Sequence, residues 1–205
     1  MPERRRQGKR EPTDQGFTLV EMMMAMLLLT VVLSLVMESL VSLQRSVVTA
    51  DARTQAVDQA RLAVEQIDRQ VRSGNIFYAP FDSGLELLVF TQANGNQKCV
   101  EWQVDTASQS LQSRSWTPTW QTDGSPAVAP WSTIATGVTN TSTDAPFTLA
   151  TSSSLYGGRI LDISLTTNAS NSHALDSAIT DSVEGRNTVY GYSTDSCSST
   201  DAPAT

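Results

Sequence analysis

Histidine is almost absent from this chain of 205 residues, whose single copy, His173, lies in a polar Asn/Ser stretch. A Ser-His-Asp triad or a His-rich metal site has little to build from. No nucleophile motif and no acid/base pair stands out, so the chain reads as a non-enzyme that needs no cofactor. Asp176, Asp181 and Glu184 would offer oxygen ligands to calcium, but no EF-hand spacing frames them. Solvated carboxylates are the preferred reading, and no metal site is assigned. A basic stripe is missing too: the net charge is −7, which argues against general nucleic-acid binding. Glycine and proline are missing from Phe17 to Ser73, so nothing interrupts a helix there.

What is present begins with a short charged leader. Residues 1–16 hold Arg4, Arg5, Arg6, Lys9 and Arg10 against Glu3, Glu11 and Asp14, which leaves nine basic and eighteen acidic groups to the rest. The leader looks like a targeting segment. Phe17 to Val36 follows, 20 residues with one charge, Glu21. At ~1.5 Å per residue this matches a hydrocarbon layer of ~30 Å. A secretory signal would have a shorter apolar core and a small-residue cleavage site after it; here the small residue, Gly16, comes before. The basic leader keeps its end in the cytoplasm and sends the remainder outside. A carboxylate inside such a span costs on the order of 2.5–3.5 kcal/mol at mid-bilayer, so Glu21 asks for a functional reason. The Met22–Met26 cluster reads as a pliable packing face for neighbouring helices, with a metal box the weaker alternative.

Beyond Val36 the helical pattern continues with one apolar stripe. Leu43, Val47, Ala50, Thr54, Val57, Arg61, Val64, Asp68 and Val71 recur at spacings of four and three, with Leu40 and Ile67 beside them and Ala56, Ala60 and Ala63 on the same side. The wet face carries Arg45, Asp51, Arg53, Asp58, Glu65, Arg69 and Arg72, and Gly74 is expected as the C-terminal stop. Strands are expected next: a hairpin of 85–91 and 97–104 about Asn94-Gly95, then 110–116, 132–138, 147–150 and 159–166. Residues 117–130 read as a loop, 168–176 as a polar mobile stretch, 187–192 as an edge strand, and the tail from Ser193 as a poor core former. The expected fold is α+β: a long N-terminal helix, transmembrane in its first half, packed on one antiparallel sheet of about four to seven strands. Trp102, Trp116, Trp120 and Trp131 are read as packing under or beside the sheet, the alternative being a Trp-lined binding surface. Cys99 and Cys197, both placed outside, read as one disulfide tying the C-terminal segment to the domain; two unpaired thiols are the alternative.

Gly16-Phe17-Thr18-Leu19-Val20-Glu21, behind a basic leader and ahead of an apolar helix, resembles the N-terminal signature of type IV pilins and type II secretion pseudopilins. The resemblance implies cleavage of the Gly16–Phe17 bond by a prepilin peptidase, N-methylation of Phe17, and a role in assembly for Glu21. The leader is longer than the family's shortest, and Gln15 stands where Lys or Arg is common. Segments 64–72, 99–104, 111–114 and 179–187 are similar, more loosely, to the J-type minor pseudopilins and W-type minor pilins. The domains implied are a leader (1–16), a transmembrane and assembly helix (17–37), the amphipathic second half of the helix (38–74) and an extracytoplasmic β-rich head with a polar tail (75–205). The implied function is that of a minor pilin or pseudopilin that primes or caps a filament. Its partners would be the prepilin peptidase, other pilins or pseudopilins through the N-terminal helix, and the cytoplasmic membrane before assembly, with the pilus or pseudopilus as the final location. The alternative is an uncleaved single-pass membrane protein with a ligand-binding outer domain.

Overall fold

The computed structural model describes residues 16–93, 95–122, 128–150, 159–168 and 176–186, together with Cys197 and Pro203. The fold is α+β, one long N-terminal helix with antiparallel sheets. The chain forms two compact units, Met1–Val47 and Val48–Thr205. Helix α1 spans Leu19–Ser73, and in the first unit its described residues are all exposed, Phe17 and Leu19 to Met37 included. One window of it is long and apolar enough to cross a membrane.

In the second unit the elements after α1 are β1 (Ile76–Phe77), a 3-10 turn (Asp82–Gly84), β2 (Glu86–Ala93), β3 (Asn96–Asp105), β4 (Ser110–Trp116), β5 (Ser132–Thr136), β6 (Phe147–Leu149), β7 (Ile160–Thr167) and β8 (Ser177–Glu184). They make two sheets where one was expected. The first is a five-stranded meander, β1 to β5 in order; the second is β6-β7-β8. Asn140 explains the break. Its side chain is buried, donates to the Asp144 and Ser164 carbonyls at 2.9 Å each, and accepts the Thr166 N–H at 2.8 Å. One amide thus pairs with backbone groups of β7 that a further strand would otherwise satisfy. The Val138–Thr167 bridge and its flanking bonds join the segment after β5 to β7, and side chains of both sheets share one core.

The face of α1 that packs on the sheets is Ala56, Ala60, Ala63, Val64, Ile67 and Val71. All six were expected on the apolar side; of the expected line Leu43, Val47, Ala50, Thr54 and Arg61 are exposed, so the packed face is narrower and centred on small residues. Three alanines supply the reason, because a row without long side chains lets the helix backbone come close and bury Ile67 fully against the sheets. Leu62, off that row, remains 59% exposed. Polar residues flanking the row fix the contact. Arg53 donates twice to the Ser177 hydroxyl, the Gln59 carbonyl accepts from the Thr136 N–H and hydroxyl at 3.1 Å, and the Gln70 carbonyl accepts the Trp102 indole N–H at 3.1 Å.

The run Leu87-Leu88-Val89-Phe90 is buried throughout, as a strand covered on both faces should be. Leu87 and Val89 face the helix. Leu88 and Phe90 belong to a second cluster with Ile76, Cys99, Trp116 and Cys197 on the outer face. The tail is therefore not merely a poor core former: Cys197 is disulfide-bonded to Cys99, and Pro203 is buried. β1 and β8 were not expected as strands. β1 has two residues, and β8 is an edge strand that buries only Val183 fully, so its sequence shows little apolar alternation. The strand expected at 187–192 lies outside the described residues.

Gly74 does end the helix, but not through a left-handed conformation, since its φ is not positive. A Cβ there would meet Val89 Cγ1 at 2.7 Å and the Gln70 carbonyl oxygen at 2.9 Å. Gly74→Ala should therefore destabilise the protein by about 1–3 kcal/mol despite alanine's better helix propensity. Chemical denaturation of the full chain in detergent would measure it, and an unchanged midpoint would show that the close approach is not needed.

Candidate processing and assembly site

The residues singled out at the N-terminus sit on a helix start that the local sequence builds. Thr18 precedes the helix, and its hydroxyl accepts the Glu21 N–H at 3.3 Å, while Met22 N–H reaches the Thr18 carbonyl at 3.2 Å. Thr18-Leu19-Val20-Glu21 is a Thr-x-x-Glu capping sequence, so the helix begins at Leu19, two residues later than the apolar run. That spacing was readable and points to Thr18 as a residue of the site. Phe17 and Gly16 are exposed and outside the helix. A Cβ at Gly16 would have nothing within 4 Å. Glu21 is exposed in the first helical turn, where a carboxylate offsets the partial positive charge of the helix end.

These features combine an exposed Gly–Phe bond, a capped helix start and an unburied apolar helix behind them. Residues 12–37 match the model of the prokaryotic N-terminal methylation motif. The match supports a type IV pilin-like relationship and a pilin-type or pseudopilin-type role; such a motif implies processing by a prepilin peptidase and assembly with other pilins. Together with the apolar helix it fits a membrane-anchored pilin. Pilin-motif proteins are typically structural. No curated protein and no solved structure matches the chain.

The other candidates fall elsewhere. Asp181 and Glu184 are three apart on β8 and so face opposite sides of it. The Asp181 carboxylate accepts the Ser182 N–H at 2.9 Å, and Asp176 accepts from the Asn168 amide at 2.7 Å. Among the described residues no group of three His, Cys, Asp or Glu side chains converges to hold a metal; His173 lies outside them. Trp102 and Trp116 are buried, Trp120 and Trp131 half-buried. Of the four only Trp116 borders the open groove of about 760 Å³ beside Lys98, Pro118 and Pro130.

The outer face of the five-stranded sheet holds the strongest electrostatics. Glu101 on β3 and Arg114 on β4 are register partners, and Nε donates to Oε2 at 2.6 Å with side chains 2% and 5% exposed. Burial pushes the Glu101 carboxyl up, opposed by the Arg114 hydrogen bond and charge. Glu86, nearby on β2, is raised to about 7, first by burial and then by the charges of Glu101 and Asp82, against Arg114 and a hydrogen bond from Gln103. A carboxyl whose folded pKa exceeds its ordinary 4.5 binds a proton more tightly folded than unfolded. Its contribution is fully present below about 4.5 and is lost as pH rises through about 7. Glu86→Gln, which keeps the acceptor for Gln103, should flatten the fall in stability across that window and leave the variant more stable than the parent above it. Thermal unfolding against pH tests this; parallel curves for the two proteins would remove Glu86 as the source.

Proposed function

We propose that this chain is a minor pilin or pseudopilin, a structural subunit cleaved after Gly16, methylated at Phe17 and drawn into a type IV pilus or type II secretion filament. The observation that carries the reading is the capped helix start at Thr18–Glu21 in front of an apolar helix with none of its membrane-length window buried. In this reading residues 1–16 are removed, 17–37 anchor and then assemble, 38–74 continue the helix, and 75–205 form the extracytoplasmic head. The subunit waits in the cytoplasmic membrane with its N-terminus inside, and ends in the pilus or pseudopilus.

Energetics give Glu21 its role. A carboxylate and an ammonium ~4 Å apart attract by about 4 kcal/mol at an effective dielectric near 20. That is comparable with the ~2.5–3.5 kcal/mol that a carboxylate costs at the centre of a bilayer. The methylated amine of a neighbouring subunit's Phe17 would therefore offset the cost of Glu21, and only at one register. Similarity of segments 64–72, 99–104, 111–114 and 179–187 to minor subunits supports priming or capping over a bulk role.

Two measurements test the reading. Coexpressed with an active prepilin peptidase, the chain should yield by mass spectrometry a product starting at Phe17 and bearing one methyl group. An intact leader under those conditions would sink the proposal. Glu21→Ala should still be cleaved but fail to enter filaments, scored by immunoblot of sheared fractions; normal incorporation would show that the carboxylate does not set the register.

A further inference from the structure

The far edge of the second sheet is β8, a strand of eight residues that pairs with β7 and, among the described residues, has no strand beyond it. The phase of the ladder fixes which of its groups face out. Gly185 N–H donates to the Arg159 carbonyl at 2.9 Å, and the register that continues this pair sets Val183 on Leu161, Asp181 on Ile163 and Ile179 on Leu165. Bonded and non-bonded pairs alternate along an antiparallel ladder, so the N–H and carbonyl groups of Ala178, Thr180, Ser182 and Glu184 point away from β7. β7 shows the matching phase, since its Ser164 N–H and Ile160 carbonyl are bonded to Pro146 and Ala150, on the side of β6. Ala178, Thr180, Ser182 and Glu184 are exposed. No described group bonds the Ala178, Thr180 or Glu184 N–H, whereas the Ser182 N–H donates to the Asp181 carboxylate at 2.9 Å.

The other sheet edges are short or covered: β1 has two residues, β6 has three, and on β5 the Gln59 side chain accepts the Thr136 N–H. An exposed edge as long as β8 is a template for another strand. Asp181 guards it. Its side chain is half-buried on the face that Ile179 and Val183 share, and among the described residues no cation pairs with it. A second copy of the chain fits poorly, because the twofold pairing that uses all the outward residues, Ala178 with Glu184 and Thr180 with Ser182, sets Asp181 against Asp181. A strand that takes the Ser182 N–H for its own carbonyl also strips that carboxylate of a donor, and must replace it.

We propose that β8 accepts an extended segment of a partner protein as a further antiparallel strand, and that this segment carries Lys or Arg opposite Asp181. On the outer edge Asp181 stands in a non-bonded pair, the closer kind at about 4.5 Å between Cα atoms, so the two side chains meet directly. Backbone bonds to Ala178, Thr180 and Ser182 supply affinity, and the charge at one position supplies register. Asp181 both deters an acidic strand and selects a basic one.

The test uses the full chain in detergent and two fluorescent eight-residue peptides of alternating Thr and Val, in which one central Val is replaced by Lys or by Glu. By anisotropy the Lys peptide should bind about fivefold more tightly than the Glu peptide, and Asp181→Lys should reverse the order. Thr180→Pro, which removes an outward donor and leaves the β7 ladder intact, should weaken both. Saturation with the Lys peptide should slow hydrogen exchange at the Ala178 and Thr180 amides. Equal binding of the two peptides, an order that Asp181→Lys leaves unchanged, or amides of Ala178 and Thr180 that stay unprotected would overturn the proposal. A dimer of the chain through β8 that excludes the peptide would overturn it too.

Discussion

Apolar surface that the chain does not cover sets the terms for the rest of the molecule. Large apolar side chains from Phe17 to Val48 on and before α1 stand exposed. Fully burying one such side chain is worth about 1.5–3 kcal/mol, so the set amounts to tens of kcal/mol waiting for a membrane or for neighbouring helices. Against that total the cost of one carboxylate at Glu21 is minor. Covering that surface with a membrane or with other helices would outweigh the cost of taking Glu21 along. Thr18 settles a related problem, because its hydroxyl satisfies one of the donors that a helix start leaves open. Glu21, in the first turn, offsets the partial positive charge of its own helix end.

The second unit shows the opposite regime, in which nearly every apolar side chain of the sheets is covered twice over. Ala56, Ala60 and Ala63 bring the helix close on one face, and on the other Cys197, bonded to Cys99, packs with Leu88, Phe90 and Trp116. Sequence periodicity carried the helix, the hairpin and β7, where Ile160 to Thr167 alternates between half-buried and buried. It placed Ala56, Ala60 and Ala63 on the packed side but drew the stripe too wide, because spacing alone does not say that Thr54 and Arg61 stay exposed. The division into two sheets was hidden because it depends on one amide, Asn140, meeting backbone groups 24 and 26 residues away. β8 was hidden because an edge strand with polar alternate residues looks like a loop. At the N-terminus the residues carried far more, since a helix start is a local event: Thr18, Leu19 and Glu21 are within four positions, and no distant contact is needed to place them.

Glu101 and Arg114 connect these levels. They lie on neighbouring strands, and β3–β4 register places them directly opposite. A buried ion pair is weak evidence for stability, because desolvation consumes much of what the charges gain. Here the upward push on Glu101 and Glu86 shows desolvation winning on this face. An apolar pair at 101 and 114 would fill the same space at lower cost, yet it would offer nothing to the Pro203 carbonyl. The arginine's second donor, aimed at the tail, is what an apolar replacement cannot supply. The pair is thus better understood as a fixture for Pro203 than as a contribution to the sheet.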